Sequence, residues 1–358
     1  MRQIVLLPLV TLVVCLTIGS TNAQTTDNTT VPHKRRVPAR VIPVPRTVSP
    51  ELQQAIAQPL DAQKASMERV PESAAGWRQV IAATNASVVH NFDELRAAFP
   101  VHVERQTIAG VQTYTITPNS IPAGNRNRVL VHVHGGAYVF YGGEVGIGEA
   151  ILMASHGKIK VISIDYRMPP EHPFPAALED AVAVWREVIK TLKPQNCGLF
   201  GSSAGGGLTL ATVHRLKELK VPLPGALFAG TPWSDLTKAG DTRFTNADID
   251  DVLVTSDGLL GACARLYVGM HDLKHPLVSP VYGDLSGFPP TILVSGTRDL
   301  LLSDTVRVHR KLCQAGVDAR LHVFEGLSHA QYLSLFQTPE CRDAFGQVSS
   351  FFDELLGK

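Results

Sequence analysis

The sequence feature that most constrains this chain is Gly-Ser-Ser-Ala-Gly at residues 201–205. An apolar run at residues 197–200 precedes it and a helical pattern at residues 206–219 follows it, which predicts a strand, a sharp turn and a helix. Such a turn holds the hydroxyl of Ser203 above the sheet edge, and its two glycines leave room for the neighbouring backbone. A glycine-rich helix start without chemistry is the alternative, so the interpretation as a nucleophile elbow depends on the other motifs.

A second glycine-rich turn lies upstream, directly after the strand-like run at residues 129–133. Residues 134–138 read His-Gly-Gly-Ala-Tyr, and small residues at such a turn allow backbone N–H groups to face a substrate. These groups are suited to hold the negative oxygen that forms when a carbonyl carbon is attacked. The predicted oxyanion-hole residues are Gly135, which shapes the turn, and the donors Gly136, Ala137 and Ala204.

A serine nucleophile also needs a base that takes its proton and an acid that orients the base. Asp299 follows the strand-like run at residues 291–294, and His329 ends the loop after the next strand-like run. Serine, acid and histidine therefore occur in the chain order used by one hydrolase fold. Asp304 and Glu325 are alternative acids, although Asp304 falls in the first turn of a predicted helix, where helix-end electrostatics already account for a carboxylate.

With these residues in place, the chain resembles the hormone-sensitive lipase family of α/β-hydrolases, also called bacterial family IV esterases, over roughly residues 85–356. The motifs that carry the resemblance are His-Gly-Gly-Ala at 134–137, Asp-Tyr-Arg-Met-Pro-Pro-Glu-His-Pro-Phe-Pro-Ala-Ala at 165–177, the elbow, and Pro-Trp-Ser-Asp-Leu at 232–236. The resemblance implies hydrolysis of carboxylic esters by a catalytic triad of Ser203, Asp299 and His329.

Two positions depart from the family pattern. Many members have an acidic residue where Ser202 stands and a third glycine where Ala137 stands. Neither departure removes a catalytic atom, but both bear on substrate preference.

The polar residues of the two longer motifs are predicted to be scaffold: Tyr166, Arg167, Glu171, His172, Trp233 and Asp235. The aromatic residues after the oxyanion loop are predicted to line the substrate pocket: Tyr138, Phe140 and Tyr141.

The predicted fold class is α/β, with the α/β-hydrolase fold as its architecture. Strand-like and helical runs alternate from residue 129 onward, which predicts a mostly parallel sheet with helices on both faces. Residues 101–108 and 111–117 alternate in polarity around a short turn and are predicted to form an antiparallel hairpin at the sheet edge. One hydrolase domain at 51–358 is expected, and the resemblance implies a helical cap formed by about 51–99 and 238–276.

The N-terminus has the pattern of a secretory signal peptide at residues 1–23. Arg2 precedes an apolar stretch at residues 4–18, and small residues follow up to Ala23, after which cleavage is predicted. The stretch is short for a membrane span, and an uncleaved anchor is the alternative. Residues 24–50 are basic and proline-rich, which predicts a linker. The mature chain is therefore expected to be exported, either periplasmic or secreted, without an integral membrane span.

The net charge and the spacing of potential ligand residues also limit which partners and cofactors the sequence predicts. Of 33 basic residues, Arg2 lies in the predicted signal, which leaves 32 against 32 acidic residues and gives no support for nucleic-acid binding. Neither metal-ligand spacing nor a nucleotide fingerprint is present, so no metal and no cofactor are predicted. Cys197 is predicted to be buried and free, and spacing leaves the pairing of the other cysteines open: Cys263, Cys313 and Cys341.

The most economical function is that of a serine carboxylesterase acting on short-chain or small-molecule esters through an acyl-enzyme. A lactone hydrolase with the same triad, an acyl transferase and a non-catalytic small-molecule binder are the alternatives. Because all three triad candidates are present, the binder is the least favoured of these.

Overall fold

The computed structural model describes residues 37–357, and its centre is one eight-stranded sheet. The strands are β1 (Val101–Ile108), β2 (Val111–Pro118), β3 (Val129–Val133), β4 (Lys160–Ile164), β5 (Cys197–Ser202), β6 (Ala226–Gly230), β7 (Thr291–Gly296) and β8 (Ala319–Phe324). Their order in the sheet is β1-β2-β4-β3-β5-β6-β7-β8. The pairs β1–β2 and β2–β4 are antiparallel, and all other pairs are parallel. The prediction of a mostly parallel sheet with an antiparallel edge hairpin is therefore confirmed.

The helices occupy both faces of this sheet. They are α1 (Pro50–Ile56), α2 (Asp61–Met67), α3 (Ala74–Ser87), α4 (Val89–Ala98), α5 (Gly148–Gly157), α6 (Ala176–Val188), α7 (Ala204–Glu218), α8 (Thr242–Thr245), α9 (Leu259–Val268), α10 (Leu302–Gln314), α11 (Gln331–Ser334) and α12 (Pro339–Leu355). Successive strand residues point to opposite faces, so Leu199 and Phe200 of β5 belong to two different cores. One core includes residues of α6 and α7, and the other includes residues of α5 and α12.

The N-terminal boundary of the compact fold lies earlier than the sequence predicted. Contacts among the described residues place the start of the compact fold at residue 44. Val44 and Val48 pack against the core that contains α12. The Ser49 N–H donates to Glu340 (2.8 Å), so apolar side chains and a partly buried backbone contact hold residues 44–49, which the sequence assigned to the linker. The predicted signal peptide lies outside the described residues.

The segments predicted to form the cap are helical. Helices α1–α4 precede the first strand, while α8 and α9 lie between β6 and β7. In residues 37–357, no helix combines the length and apolar character that crossing a membrane requires.

Candidate active site

The turn between β5 and α7 has the conformation that its sequence predicts. Strand β5 ends at Ser202 and α7 begins at Ala204, two residues before the predicted helix start. Ser203 lies between them with φ 60° and ψ −125°, a conformation that costs a non-glycine residue about 1–3 kcal/mol. Hydrogen bonds from the Ser203 N–H to the Gly230 carbonyl (2.9 Å) and from the Trp233 N–H to the Ser203 carbonyl (2.9 Å) hold this backbone.

The two glycines of the pentapeptide are required for close packing. A Cβ atom at Gly201 or at Gly205 would collide with the carbonyl oxygen of Val133 on the neighbouring strand. Side chains at these positions would therefore push β3 away from the turn that presents Ser203. The packing explains why small residues flank the serine.

The structure brings the three predicted triad residues together. The Nε2 atom of His329 lies 2.8 Å from the Oγ atom of Ser203, and its Nδ1 atom lies 3.0 Å from Oδ1 of Asp299. His329 is 3% exposed and Asp299 is 0% exposed, whereas Ser203 is only partly buried. A histidine with one nitrogen on a hydroxyl and the other on a carboxylate has the geometry of a base held by an acid.

The Asp299 carboxylate is held by more donors than the sequence indicated. Oδ1 accepts from the Leu301 N–H (2.8 Å), and Oδ2 accepts from the hydroxyls of Ser295 (2.6 Å) and Thr231. Burial favours the neutral form, but the charge of His329 and the hydrogen bonds outweigh it and lower the pKa of Asp299 below its usual value. Ser295 and Thr231 lie at the carboxyl ends of β7 and β6, where polar residues of a parallel sheet meet a ligand site.

The two alternative acids have other partners. Asp304 is 0% exposed and pairs with Arg243 (2.8 Å), and it also accepts from the Asp235 N–H (3.2 Å). Its carboxylate therefore belongs to a buried ion pair as well as to the first turn of α10. Glu325 is exposed and accepts from the Thr47 hydroxyl (2.7 Å). Of the three carboxylates considered, Asp299 is the one hydrogen-bonded to the imidazole of His329.

The loop after β3 runs beside the elbow. A Cβ atom on Gly135 would lie 3.4 Å from Cβ of Ser203. Gly136 and Ala137 both have positive φ, at 106° and 54°. Within residues 37–357, the N–H groups of Gly136, Ala137 and Ala204 donate to no protein acceptor. Three of the four residues predicted for the oxyanion hole thus supply unpaired donors beside the serine, and the fourth, Gly135, packs against it.

His134 anchors this loop. Its Nδ1–H donates to the Gly135 carbonyl (2.7 Å), while the Tyr166 hydroxyl donates to the His134 carbonyl (2.7 Å). The two rings stack with their centroids 4.1 Å apart. Burial lowers the pKa of His134 to about 3, so the imidazole is neutral in the working range of most enzymes.

A cavity of about 390 Å³ opens over Ser203 and His329. Residues 61–98 and the insert after β6 both contribute to its walls. The first segment supplies Met67, Thr84, Val88, Asn91, Phe92 and Leu95, and the insert supplies Val252, Leu253, Leu259, Leu260 and Cys263. The lining is mainly apolar, as is usual for small-molecule sites.

Two of the three predicted pocket aromatics line this cavity. Phe140 and Tyr141 are part of its wall. Tyr138 is not, which corrects the sequence prediction. The ring of Tyr138 is 1% exposed and stacks on Tyr267 of α9 with centroids 3.9 Å apart. The side chain therefore belongs to the core between the sheet and α9, although Tyr138 follows the oxyanion loop directly.

A buried polar network that the sequence did not predict lies beneath the serine. The Glu149 carboxylate accepts from the Ser202 N–H (3.1 Å) and the Ser202 hydroxyl (2.6 Å). It also contacts Nε2 of His132 (3.2 Å), whose Nδ1 contacts the Ser163 hydroxyl (2.8 Å). The Tyr332 hydroxyl lies 2.6 Å from the same Ser202 oxygen. The network thus joins the residue before the nucleophile to α11, which follows His329. A glutamate in the apolar run of α5 was its only sequence signal.

Gly230 makes room for this network. A Cβ atom there would overlap the Tyr332 hydroxyl and the Oγ atom of Ser202, and it would lie 2.9 Å from Cζ of Phe228. The hydrogen bond between Ser202 and Tyr332 therefore occupies the space in which a side chain at residue 230 would lie.

The residues predicted as scaffold divide into two groups. Tyr166 and Trp233 are buried at 2% exposure each, and Asp235 is buried beside Arg307 (2.5 Å). The other three lie nearer the surface than predicted: Arg167 pairs with Asp180, Glu171 pairs with Arg78, and His172 is exposed. Their contacts hold surface loops rather than the buried side of the triad.

The four cysteines of the described chain are free thiols. Cys197, Cys263 and Cys341 are buried, and burial raises the pKa of each to about 12. Cys313 is exposed. In the part of the chain that the structure describes, no cluster of three or more His, Cys, Asp or Glu side chains is arranged to hold a metal ion.

Known proteins are similar to this chain in sequence and in fold. The family model described as alpha/beta hydrolase fold matches residues 130–333, more than half of the chain. An acetyl-hydrolase of Streptomyces hygroscopicus is 32% identical over 238 residues, which cover 66% of this chain and 79% of that protein. The crystal structure of an esterase superposes with a TM-score of 0.87 at 44% identity and covers 90% of this chain and 99% of the esterase.

A second crystal structure extends the comparison to a named group. It is an esterase from the bacterial hormone-sensitive lipase family, with a TM-score of 0.72, 28% identity and coverage of 86% of this chain and 99% of that one. The family resemblance inferred from the motifs is therefore confirmed. Fold, sequence and structural neighbours agree that this chain belongs to the hormone-sensitive lipase family of α/β-hydrolases and is an enzyme that hydrolyses ester bonds.

Proposed function

We propose that this chain is a serine carboxylesterase that works through an acyl-enzyme, with Ser203 as nucleophile, His329 as general base and Asp299 as orienting acid. The observation that carries the proposal is the continuous contact from the Ser203 hydroxyl through His329 to Asp299, at 2.8 and 3.0 Å. The Ser203 end of this series of hydrogen bonds lies at an apolar cavity, beside unpaired backbone donors.

The chemistry follows from these positions. Nε2 of His329 takes the Ser203 proton as Oγ bonds to the ester carbonyl carbon, and the carbonyl electrons move to its oxygen. The N–H groups of Gly136, Ala137 and Ala204 hold this oxyanion, and one such donor typically contributes about 3–4 kcal/mol to the transition state. The intermediate collapses as the alcohol oxygen leaves with the proton from His329. Water then repeats the sequence on the acyl-enzyme and releases the acid.

Asp299 supports both halves of the reaction. With its Nδ1 proton donated to this carboxylate, His329 presents the lone pair of Nε2 to the serine. The lowered pKa of Asp299 keeps the carboxylate ionised at neutral pH, so it stabilises the imidazolium that forms during the reaction.

The cavity supports small ester substrates. Its volume of about 390 Å³ is near the lower end for ligand pockets. We expect the purified protein to hydrolyse p-nitrophenyl esters of acetate to hexanoate faster than those of long fatty acids. A scan of kcat/KM against chain length, extended to lactones, tests this. A maximum at twelve carbons or longer would contradict the proposed substrate size.

The nucleophile is tested by covalent labelling. A serine-directed phosphonate should add one label to the wild-type chain and none to Ser203→Ala, whose turnover should fall by several orders of magnitude. The same reagent should label His329→Ala slowly, because the hydroxyl without its base is a weak nucleophile. Ser66→Ala is the matched control, since it removes another hydroxyl of the cavity lining and keeps Ser203. Mass spectrometry that finds wild type unlabelled, or labelled elsewhere, would refute the serine mechanism.

We also propose that the enzyme is exported. The basic, apolar and small-residue order of residues 1–23 supports a cleaved signal peptide. Expression of the full chain in a Gram-negative host should yield periplasmic or secreted protein whose first residue is Gln24. Cytoplasmic protein that still begins at Met1 would contradict this proposal, and membrane-bound protein with residues 1–23 retained would favour the anchor.

A further inference from the structure

The insert after β6 does more than line the cavity, because one stretch of it lies across the loops that carry the proposed acid and base. We call residues 246–251 the crossing segment. The side-chain amide of Asn246 donates to the carbonyls of Thr297 (3.1 Å) and Asp299 (2.9 Å). The Asp251 N–H donates to the hydroxyl of Ser328, the residue before His329 (3.0 Å). The crossing segment thus bonds to both loops.

Asp250 is at the centre of these contacts and is 0% exposed. Its carboxylate accepts from the N–H groups of Val252 (2.9 Å) and Leu253 (3.0 Å) within the insert. It also accepts from the N–H of Leu300 (2.7 Å), directly after Asp299, and from the N–H of His329 (3.4 Å). One buried side chain therefore bonds to the backbone beside the acid and to the backbone of the base.

The charged surroundings of Asp250 make it a second anion at the triad. Burial raises its pKa to about 6, with a further upward contribution from Asp299, while His329 and the backbone donors act in the opposite direction. Asp251, the next residue on the segment, is influenced by the charge of Arg298 on the acid loop. Above pH 6 the carboxylate of Asp250 is ionised, so a second negative charge lies beside His329.

We propose that Asp250 is a positioning residue, contributed by the insert, that fixes the separation of the acid and base loops and adds a negative charge beside His329. This inference rests on the proposed serine-esterase function. A carboxylate that only closed the insert's own turn would need no more than its bonds to Val252 and Leu253. The bonds to Leu300 and His329 act on the geometry from which Ser203 loses its proton.

The test compares Asp250→Asn with Asp248→Asn on a short p-nitrophenyl ester. Asp248 is the matched control, because it lies on the crossing segment, its side chain is 63% exposed and it pairs with Lys64 at the surface. In Asp250→Asn we expect kcat to fall about 10- to 100-fold, since a displacement of about 1 Å has an effect of this size, while KM stays within about threefold. Asp248→Asn should match wild type.

A pH profile separates positioning from a purely structural role. Loss of a neighbouring anion disfavours the protonated base, so the acid-side midpoint of kcat/KM should move to lower pH by about half a unit or more in Asp250→Asn. A folded Asp250→Asn protein with wild-type kcat, or with an unmoved midpoint, overturns the proposal. A wild type that is inactive on all esters and unlabelled by the phosphonate refutes the proposed function instead.

A second measurement decides the case if Asp250→Asn does not fold. The carboxyl ¹³C resonance of Asp250 reports its titration in wild type and in His329→Gln. Because His329 lowers the pKa of Asp250, this pKa should rise in His329→Gln. An unchanged titration would overturn the proposal, and an upward shift would support it.

Discussion

The substitution Gly230→Ala tests the buried network beneath the elbow. The added methyl carbon overlaps the Tyr332 hydroxyl and the Ser202 oxygen, which are hydrogen-bonded to each other, and it approaches Cζ of Phe228 to 2.9 Å. The chain can accommodate it only by separating the elbow from α11. The substitution should therefore reduce stability and also disturb the residue that precedes Ser203.

The size of the effect follows from two contributions. Separating two buried hydroxyls that have little access to water costs about 1–3 kcal/mol. Forcing an extra methyl group into a close-packed site costs a further 1–3 kcal/mol or so. We therefore expect Gly230→Ala to lower the free energy of unfolding by about 4 kcal/mol. Tyr332→Phe should cost only about 1 kcal/mol, because Ser202 keeps its bond to Glu149 and no atom is added.

The two substitutions should not be additive. In the Tyr332→Phe background the oxygen nearest to the new methyl group is absent, so Gly230→Ala should cost at least about 1 kcal/mol less than it does alone. Urea unfolding of wild type, both single variants and the double variant measures this coupling, and kcat on a short ester reports the elbow. Additive free energies, or a Gly230→Ala protein destabilised by less than about 1 kcal/mol, would refute this account of the network.

Two further predictions concern the acids and the buried histidines. Asp299→Asn should preserve the fold and lower kcat about a thousandfold. Asp304→Asn should keep most of the activity and lower the free energy of unfolding by about 3 kcal/mol, since it weakens the buried pair with Arg243. An inactive Asp304→Asn variant beside an active Asp299→Asn variant would reverse the assignment of the acid. Burial lowers the pKa of His134 to about 3 and of His214 to about 4, so below pH 6.5 each imidazole gains its proton in the unfolded chain before it does in the folded one, and its contribution to stability is lost as pH falls. This contribution should fall by about 2 kcal/mol per histidine between pH 7.5 and 5, so in urea unfolding His214→Gln should lose about 2 kcal/mol less than wild type over this range, and an equal loss in both proteins would contradict the account.

Local sequence patterns predicted much of the fold. The strands at 101–108 and 129–133 were predicted with the bounds that the structure has, because alternating and continuous apolar runs are short-range signals. The elbow was predicted for the same reason, since its glycines and flanking elements lie within a few residues of each other. The proximity of Asp299 and His329 was predictable because both follow strands of one parallel sheet.

What the sequence did not predict depends on contacts between distant segments. Glu149 and Ser202 are 53 positions apart, and Ser202 and Tyr332 are 130 positions apart, so no local pattern links them. Asp250 was overlooked because its partners are backbone N–H groups, which leave no trace in the sequence. Tyr138 was misassigned because its ring stacks on Tyr267 of α9, a contact with a distant segment that closeness to the oxyanion loop along the chain does not reveal.

The crossing segment changes how far this enzyme can be divided into exchangeable parts. An insert that only covered a cavity would act as a detachable specificity module, and grafting a foreign one onto the sheet would change substrate choice alone. Here the graft would also replace Asn246 and Asp250, whose bonds end on the backbone of the acid and base loops. Chimaeras cut outside residues 238–276 should therefore lose rate with every substrate, and those that retain residues 246–251 should not. The part of the insert that can be exchanged without loss of rate therefore excludes residues 246–251.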